Sequence, residues 1–474
     1  KPFWLKARLD GIVVRVGHWI SPLTRPLESI VRRALRGAML HNVEARELRG
    51  SSEDELSANQ LRQNFLWFAA NFAVNHGVVT TPLVVASSVL DTGAGYLGNA
   101  LLNVFTVLSA FLLGAPAVNS LGLRGAVLLG MACYCLYAGL FTAAYAAGKG
   151  AVLAQKLLFG AGSAVGGVAA GVLWTAQGSY FARTVDLLAG RGGGERSELT
   201  STLAGTFAAL YLGGEVCSKL AWAGLDKLGV DGWVIAAAYT AVGAVAVLLQ
   251  TRSLALGAAG PPAKWTTKVR AAFSLWGDPC VFLLAGINLT FGFSAGFMNG
   301  YVNANYTKAQ LGAFAVPMLA AFTALLAAAL ARLFGQLSAR CGKSPVVVAG
   351  SVGFFAIPCC MFLLGCCDGW RWWLVTLYVL QGVGRAVYES TGKGIFADFF
   401  PSDPTGAFAN NMLQNATAFA LCFFLSDYLQ GLALAGIAMA LSVLTPIGYF
   451  AACGIRAAQA RRRSDALDHA GGDS

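Results

Sequence analysis

Three charged residues stand at regular intervals inside one apolar stretch of the sequence. Arg385, Glu389 and Lys393 are each four residues apart within residues 372–396. In a continuous α-helix this spacing places them on one face, where Glu389 can pair with the cation on either side. If the helix crosses a membrane, a charge near its centre costs roughly 2.5–3.5 kcal/mol and needs a partner or water. The pattern indicates either a proton or cation relay lining a cavity or a self-neutralised structural ladder near the helix end.

A further acidic residue stands beside two glycines in another apolar stretch. Glu215 follows Gly213 and Gly214, and Lys219 comes four residues later. Glycines at such a point let the backbone of a second membrane helix approach closely. The arrangement indicates either a carboxylate that faces a cavity or a local ion pair with Lys219.

Two asparagines and a histidine lie close together in the first long apolar stretch. Asn71 and Asn75 share a helical face, and His76 is the only histidine inside the apolar stretches. An imidazole could titrate near neutral pH, and a hydrogen bond between helices is the alternative role. Asn288 stands between two glycines in a later stretch. These glycines predict a break in the helix that turns Asn288 towards the same cavity.

The remaining polar residues do not form a set that supports catalysis or holds a metal. The sequence has 4 histidines and 11 cysteines, and no two cysteines form a C-x-x-C pair. A structural zinc site needs clustered His and Cys ligands, so we interpret the cysteines as buried apolar side chains. We expect no enzymatic activity and no required cofactor. The apolar faces could hold lipid, or pigment if the membrane is a plastid one.

The composition indicates which class of chain must position these residues. The sequence has 474 residues, of which 56% are hydrophobic and 12% are charged. A typical soluble chain has about 25% charged residues. There is too little polar surface here to cover so much apolar mass in water. This excludes a soluble globular enzyme, a disordered chain and a nucleic-acid-binding protein, and it predicts a protein that crosses the membrane many times.

Apolar stretches of about 20 residues, the length that crosses a bilayer as a helix, occur twelve times. Runs such as Met318–Leu330 are too long and too uniformly apolar for membrane strands, which alternate over about ten residues. The longest interval between spans divides them into two sets of six. The predicted spans are 64–87, 95–113, 124–147, 151–177, 201–222, 232–250, 279–301, 311–334, 345–367, 372–396, 407–430 and 433–454.

The basic residues predict how these spans are oriented. The net charge of the sequence is +11. Many of its Lys and Arg residues lie before the first span, between the sixth and seventh spans, and at the end of the chain. Lys and Arg concentrate on the cytoplasmic side of membrane proteins, so we expect both termini on the cytoplasmic or stromal face. The predicted units are an amphipathic basic arm (1–61), a six-helix half (62–250), a basic loop (251–278), a second six-helix half (279–455) and a tail (456–474).

One loop resembles the signature G-x-x-x-D-R-x-G-R/K of the major facilitator superfamily. After the eighth span the chain reads Gly335-Gln-Leu-Ser-Ala-Arg340-Cys-Gly342-Lys343, with alanine in place of the acid. The counterpart in the first half, residues 114–124, is weaker and also lacks the acid. The resemblance implies that these loop residues belong to a gate. It also implies two six-helix halves that rock against each other around a site at the midplane.

Two further segments resemble the Unc-93-like branch of that superfamily. The more recognisable one reads Leu173-Trp-Thr-Ala-Gln177-Gly-Ser-Tyr180, and the other covers residues 382–415. The resemblance extends over about residues 62–455 and implies that Gln177 and Tyr180 face the cavity. The predicted fold is an all-α membrane protein with twelve transmembrane helices in two six-helix halves, the major facilitator fold, with an N-terminal amphipathic arm.

Two functions from different classes agree with these observations. Members of the Unc-93-like branch include an ion-channel regulator and a trafficking chaperone, and the acid missing from both loops is one that latches the gating states of the superfamily. We therefore expect a non-catalytic partner, acting as a scaffold, assembly or regulatory subunit of a larger membrane complex. The alternative is a proton-coupled secondary transporter of a small solute or ion, coupled through Glu389 or Glu215. We expect an organellar membrane, with the plastid thylakoid as one candidate, rather than the plasma membrane or endomembranes.

Overall fold

Polar side chains cap the first two long helices of the structure. Ser57 accepts a hydrogen bond from the Gln60 backbone and so caps the first helix, and Asp91 caps the second in the same way. The computed structural model describes residues 56–148, 150–257, 273–363, 367, 369–401 and 403–471. Its first six helices are α1 (Ala58–Val89), α2 (Thr92–Leu112), α3 (Gly114–Ala146), α4 (Val152–Gly190), α5 (Arg196–Lys227) and α6 (Gly232–Gln250).

Six further helical segments follow the central loop. Asp278 caps the first of them and Asp403 caps the fifth. They are α7 (Pro279–Phe297), α8 (Ala315–Cys341), α9 (Lys343–Leu363), α10 (Val375–Val387), α11 (Pro404–Leu425) and α12 (Gly431–Gly471). Within the described residues, this agrees with the predicted all-α fold, and the number of long helical segments equals the number of predicted spans.

Two of these helices change their geometry part of the way along. α7 continues as a π-helix over Met298–Thr307 and then as Lys308–Leu311, and α10 continues as a π-helix over Tyr388–Gly392 and then as Lys393–Phe399. The break predicted near Asn288 is therefore wrong in position, because that residue lies inside the regular α7. Glu389 lies within a π-helical turn, so the regular four-residue register assumed for its neighbours does not hold there.

Each half packs around its own set of buried aromatic and aliphatic side chains. Phe65, Phe68 and Phe141 lie in the core of the first half, whereas Phe293 and Phe396 lie in the core of the second. Helix backbones approach closely at small residues: a Cβ atom added to Gly214 would lie 2.8 Å from the Ala73 carbonyl oxygen on α1. This agrees with the close approach predicted for that glycine.

Hydrogen bonds join the halves at one end of the molecule. Ser87 donates to the Gly300 carbonyl at 3.3 Å, Asn303 to the Val84 carbonyl at 3.4 Å, and Asn305 to the Tyr96 hydroxyl at 3.3 Å. We call this the closed end. The opposite end carries the turns between α2 and α3 and between α8 and α9, and we call it the loop end.

Some predicted segments lie outside the part of the chain that the structure describes. These are residues 1–55 of the amphipathic arm, residues 258–272 of the basic loop, and residues 472–474 of the tail. The predicted boundaries between the arm, the halves, the loop and the tail stay predictions.

Candidate functional site

A cavity of about 490 Å³ lies between the two halves. Helices α1, α4 and α5 line one side, and α7, α8, α10 and α11 line the other. Its floor lies at the closed end, where Val84 and Asn299 line it. In the described part of the chain, nine helical segments are long and apolar enough to span a membrane, and α5, α10 and α11 are not among them. These three helices carry most of the polar side chains of the cavity.

A cluster of three charged side chains bridges the halves inside this cavity. Glu215 forms an ion pair with Lys219 one helical turn later on α5. Both oxygens of the Glu215 carboxylate also accept from the Arg385 guanidinium of α10, each at 3.4 Å. The side chains of Glu215 and Lys219 are 6% and 3% exposed, and that of Arg385 is 20% exposed. Arg385 is therefore the member of the cluster that is most accessible from the cavity.

The ion cluster differs from the ladder that the sequence suggested. The local pair predicted for Glu215 and Lys219 is present, but Arg385 pairs with Glu215 of the opposite half. Glu389 is half-buried on the π-helical turn, lies outside the cavity wall, and is close enough to Arg385 to act on it electrostatically. Lys393 opens the helical segment that follows this turn, and its side chain is not among those described.

His76 lies on the cavity wall inside an aromatic cage. Its ring stacks on Phe72 at a centroid distance of 6.0 Å and meets Trp174 and Tyr211 edge-on at 5.4 and 5.6 Å. Its Nδ1 atom is buried and has no hydrogen-bond partner among the described residues. The hydrogen bond between helices, considered for His76 from the sequence, is therefore not seen at this atom.

The opposite wall presents amide groups whose hydrogen-bonding capacity is incompletely used. The Tyr388 hydroxyl donates to Asn411 Oδ1 at 2.9 Å. Within the described residues, Asn411 Nδ2, Asn415 Oδ1 and Gln381 Oε1 are buried without a partner. A buried polar group left unpaired costs about 1–3 kcal/mol. These atoms therefore mark the wall as a surface suited to a polar ligand.

Several residues predicted for the cavity lie behind its wall. Asn71 donates to the Trp67 carbonyl of its own helix at 2.8 Å, and Asn75 donates to the Met131 carbonyl on α3 at 3.3 Å. Asn288 donates to Gln414 Oε1 on α11 at 2.8 Å. Asn75 and Asn288 thus connect helices within one half, Asn71 bonds its own helix, and none of the three lines the cavity.

The family resemblance placed Gln177 and Tyr180 in the cavity, but neither is among the described residues that line it. Tyr180 is buried near the loop end, where its hydroxyl accepts from Asn64 at 2.7 Å and donates to the Leu254 carbonyl at 2.9 Å. Gln177 is half-buried on α4. Trp174, within the same motif, lines the cavity. The motif thus indicated the correct helix, and the side chain that reaches the cavity lies one turn earlier.

The two signature loops share a backbone conformation. Gly122 has φ 72° and ψ 172°, and Gly342 has φ 81° and ψ 169°. Only glycine adopts this region readily. Gly335 and Arg340 are exposed on α8, and Lys343 forms an ion pair with Asp398, which follows the π-helical turn of α10. An acid from elsewhere in the same half is therefore present at this loop.

Sequence reasoning missed several residues that form the site. Gln381, Asn411 and Asn415 supply the amide wall, and Tyr211 supplies part of the cage around His76. Asn411 and Asn415 are spaced four residues apart on an apolar helix. That spacing was a usable signal, because polar residues inside a span need partners or a polar cavity.

Comparison with known proteins supports the predicted family resemblance. No family model matches this chain. It is 24% identical over 370 residues to protein unc-93 homolog A of Bos taurus, covering 68% of this chain and 78% of that protein. The human protein of that name is 23% identical over 372 residues, with the same coverage of both chains. The chain is therefore similar to Unc-93 proteins, as its motifs indicated.

Solved structures show the fold. The nucleoside transporter NupG superposes with a TM-score of 0.61 at 14% identity, covering 82% of this chain and 99% of that one. A D-xylose-proton symporter superposes with a TM-score of 0.55 at 11% identity, covering 82% of this chain and 95% of that one. The chain thus has the major facilitator fold of an integral multi-pass membrane protein, and its relatives and structural neighbours point to a non-enzymatic one.

Proposed function

We propose that this protein is a secondary transporter that binds a small polar solute in the central cavity and moves it by alternating access. The observation that carries the proposal is the ion pair between Glu215 of the first half and Arg385 of the second, located inside the cavity. Charged residues within a membrane protein are expensive and mark substrate or ion pathways. A pair that joins two rocking halves is placed where binding and movement can be coupled.

The contacts at the closed end support this proposal. The hydrogen bonds that join the halves there measure 3.3–3.4 Å, which is longer than the usual range of about 2.5–3.2 Å. Each neutral bond of this kind contributes about 0.5–1.5 kcal/mol at most. The polar contacts of this interface can therefore separate at modest cost, as a rocking motion requires.

A non-catalytic partner role is the second proposal, and one feature of the first half favours it. Arg124, in the weaker signature loop, donates to the Thr251 carbonyl at the end of α6. This loop is therefore tied to its own half by a backbone contact, and it lacks the acid that latches gating states in the resembled superfamily. A loop fixed to its own half in this way suits a scaffold or regulatory subunit, which does not need to change between gating states.

Distance measurements between spin labels at both ends test the two roles. Labels carried on non-canonical ketone residues avoid the native cysteines. One pair replaces the exposed Thr92 and Tyr428 at the closed end, and the other replaces the exposed Gln63 and Gln336 at the loop end. In the full chain in lipid nanodiscs, a transporter gives two populations, in which a longer closed-end distance accompanies a shorter loop-end distance.

A static partner gives one distance at each end. A pair within one half, Gln63 with the exposed Glu198, is the control and should give a single distance in either case. A single, unchanging distance for both inter-half pairs would overturn the transport proposal and leave the partner role.

A further inference from the structure

We infer that the cavity takes a small organic anion with a flat apolar body, whose carboxylate binds the Arg385 guanidinium. This rests on the proposed function, because it names the class of solute for the same cavity. The inference uses three observations: the unequal bonding of Glu215 to its two cations, the aromatic surfaces on both walls, and the unpaired amides beside them.

Glu215 is bound unequally to its two cations. Its contact with Lys219 is close and lies within one helix, whereas both of its contacts with Arg385 are 3.4 Å long and cross between halves. The Arg385 side chain is also the most exposed of the three. A ligand that takes Arg385 therefore leaves Glu215 with a partner and leaves no buried charge uncompensated.

The cavity wall favours an anion over a cation. Lys219 and Arg385 give it two positive charges, and Glu215, its one acidic residue among those described, is already shared by both. Glu389 acts on Arg385 from outside the wall. A guanidinium presents two parallel donors that match a carboxylate. A cation would have to compete with both Lys219 and Arg385 for Glu215.

The walls on either side of Arg385 fit a flat apolar body. Phe291 and Tyr388 stack at a centroid distance of 3.9 Å on the second half. Trp174 and Tyr211 face the cavity from the first half. The partnerless Asn411 Nδ2 atom lies on the same wall and can donate to a polar substituent on such a ring. A carboxylate attached to a ring uses the guanidinium and the aromatic surface together.

This assignment links binding to movement. Glu215 and Arg385 belong to different halves, so an anion that takes Arg385 also removes the ion pair that joins them inside the cavity. The binding of the anion to Arg385 then replaces the contact between Glu215 and Arg385. Because that contact joins the halves, its loss lowers the cost of separating them.

Calorimetry with three matched probes tests the anion assignment. Benzoate, benzamide and benzylamine share a ring and differ in carrying a negative, zero or positive charge. We expect benzoate to bind the full chain in nanodiscs at least about tenfold more tightly than benzamide, because a charge-assisted hydrogen bond contributes more than a neutral one. Benzylamine should not bind. Equal binding of benzoate and benzamide, or no binding of benzoate, would overturn the assignment.

Variants show whether the anion occupies Arg385. R385Q should abolish benzoate binding, whereas R332Q, at an exposed site on α8, should leave it unchanged. E215Q should strengthen benzoate binding by about tenfold, since it removes the competing carboxylate. A gain of affinity cannot come from misfolding, so unchanged or weaker binding by E215Q contradicts the inference. The spin-label distances are measured without any probe, so they judge transport separately from the class of solute.

Discussion

The two halves of the molecule build their sides of the cavity differently. In the first half, α1, α4 and α5 reach the cavity as α-helices without a π-helical segment, and Glu215 is neutralised locally by Lys219. In the second half, α7 and α10 turn into π-helices where they meet the cavity or the closed end, and buried amide atoms remain unpaired. π-Helical turns are rare and occur frequently at functional sites. The difference suggests a fixed first wall and an adjustable second wall.

The π-helical segments have a specific positional consequence. The segment Met298–Thr307 contributes the Gly300 carbonyl and the Asn303 side chain that bond the first half at the closed end. The segment Tyr388–Gly392 follows Arg385 and carries the tyrosine that orients Asn411. Irregular backbone in the second half thus coincides with its contacts to the first half and to the cavity.

The strongest test of a fixed first wall is to remove Glu215, the acid that Lys219 neutralises within that wall. In E215A, Lys219 and Arg385 both lose their partner in a buried site, and breaking a buried pair in this way costs about 3–5 kcal/mol. In R385Q, Glu215 keeps Lys219, so we expect a loss below about 2 kcal/mol. The free energy of unfolding, measured by titration with dodecyl sulfate in mixed micelles, gives both values.

The exposed pair between Asp186 and Arg196 is the control for that measurement. Their side chains are 35% and 67% exposed, so D186A should cost less than about 1 kcal/mol. If R385Q were as damaging as E215A, the second wall would be as fixed as the first, and the contrast between the halves would fail.

The charge cluster also shows how far sequence reasoning extends. The pairing of Glu215 with Lys219 could be predicted, because a spacing of four residues on one helix is local information. The partner of Arg385 could not, because it lies 170 residues away on the other half. The helix positions followed from apolar length, but the π-helical turns did not, since periodicity arguments assume a regular helix. Trp174 was missed for a similar reason: the motif identifies α4, but tertiary packing decides which of its side chains reaches the cavity.

The two halves differ at the cavity. The signature turns test whether they are equivalent at the loop end. Gly122 and Gly342 share nearly the same φ and ψ, and a Cβ atom added to either meets nothing within 4 Å. Alanine at either position therefore carries only the backbone cost, about 1–3 kcal/mol. We expect G122A and G342A to lower the free energy of unfolding equally, within about 0.5 kcal/mol.

Gly335 is the matched control for the two turns. It lies in helical backbone on α8, is exposed, and also has open space around an added Cβ. G335A should stabilise the protein by about 0.5–1 kcal/mol, because alanine favours the helix. A clear difference between G122A and G342A would extend the asymmetry of the cavity to the loop end.

A smaller effect is expected at the ion pair beside the second turn. Lys343 and Asp398 are 29% and 63% exposed, so their coupling should be about 0.2–1 kcal/mol. A double-mutant cycle with K343Q and D398N measures it, and the coupling should fall as salt is raised from 0.05 to about 0.5 M. Coupling well above 1 kcal/mol, or coupling indifferent to salt, would mean that this pair latches the second half more firmly than its exposure allows.

The smallest effect concerns the ion pair that joins the start of α7 to α12 in the second half. Arg456 donates to Asp278 at 2.7 Å and to the Phe399 carbonyl at 2.9 Å. Partial burial raises the pKa of Asp278, but hydrogen bonds from the Cys280 backbone and from Arg456 outweigh it and hold the pKa below its usual value. A carboxyl with a lowered folded-state pKa stabilises the protein above its unfolded pKa, about 3.9, and loses this contribution as the pH falls.

D278N keeps an oxygen that can cap α7 and removes only the charge. With side chains 24% and 34% exposed, the pair should contribute about 0.5 kcal/mol. The difference in unfolding free energy between wild type and D278N should therefore stay constant from pH 7 to pH 5 and shrink below about pH 4. A difference that changes between pH 7 and pH 5 would show that other groups titrate with Asp278. The contact between the start of α7 and α12 would then depend on more groups than Asp278 and Arg456. The adjustable part of the second half would in that case extend beyond its π-helical turns.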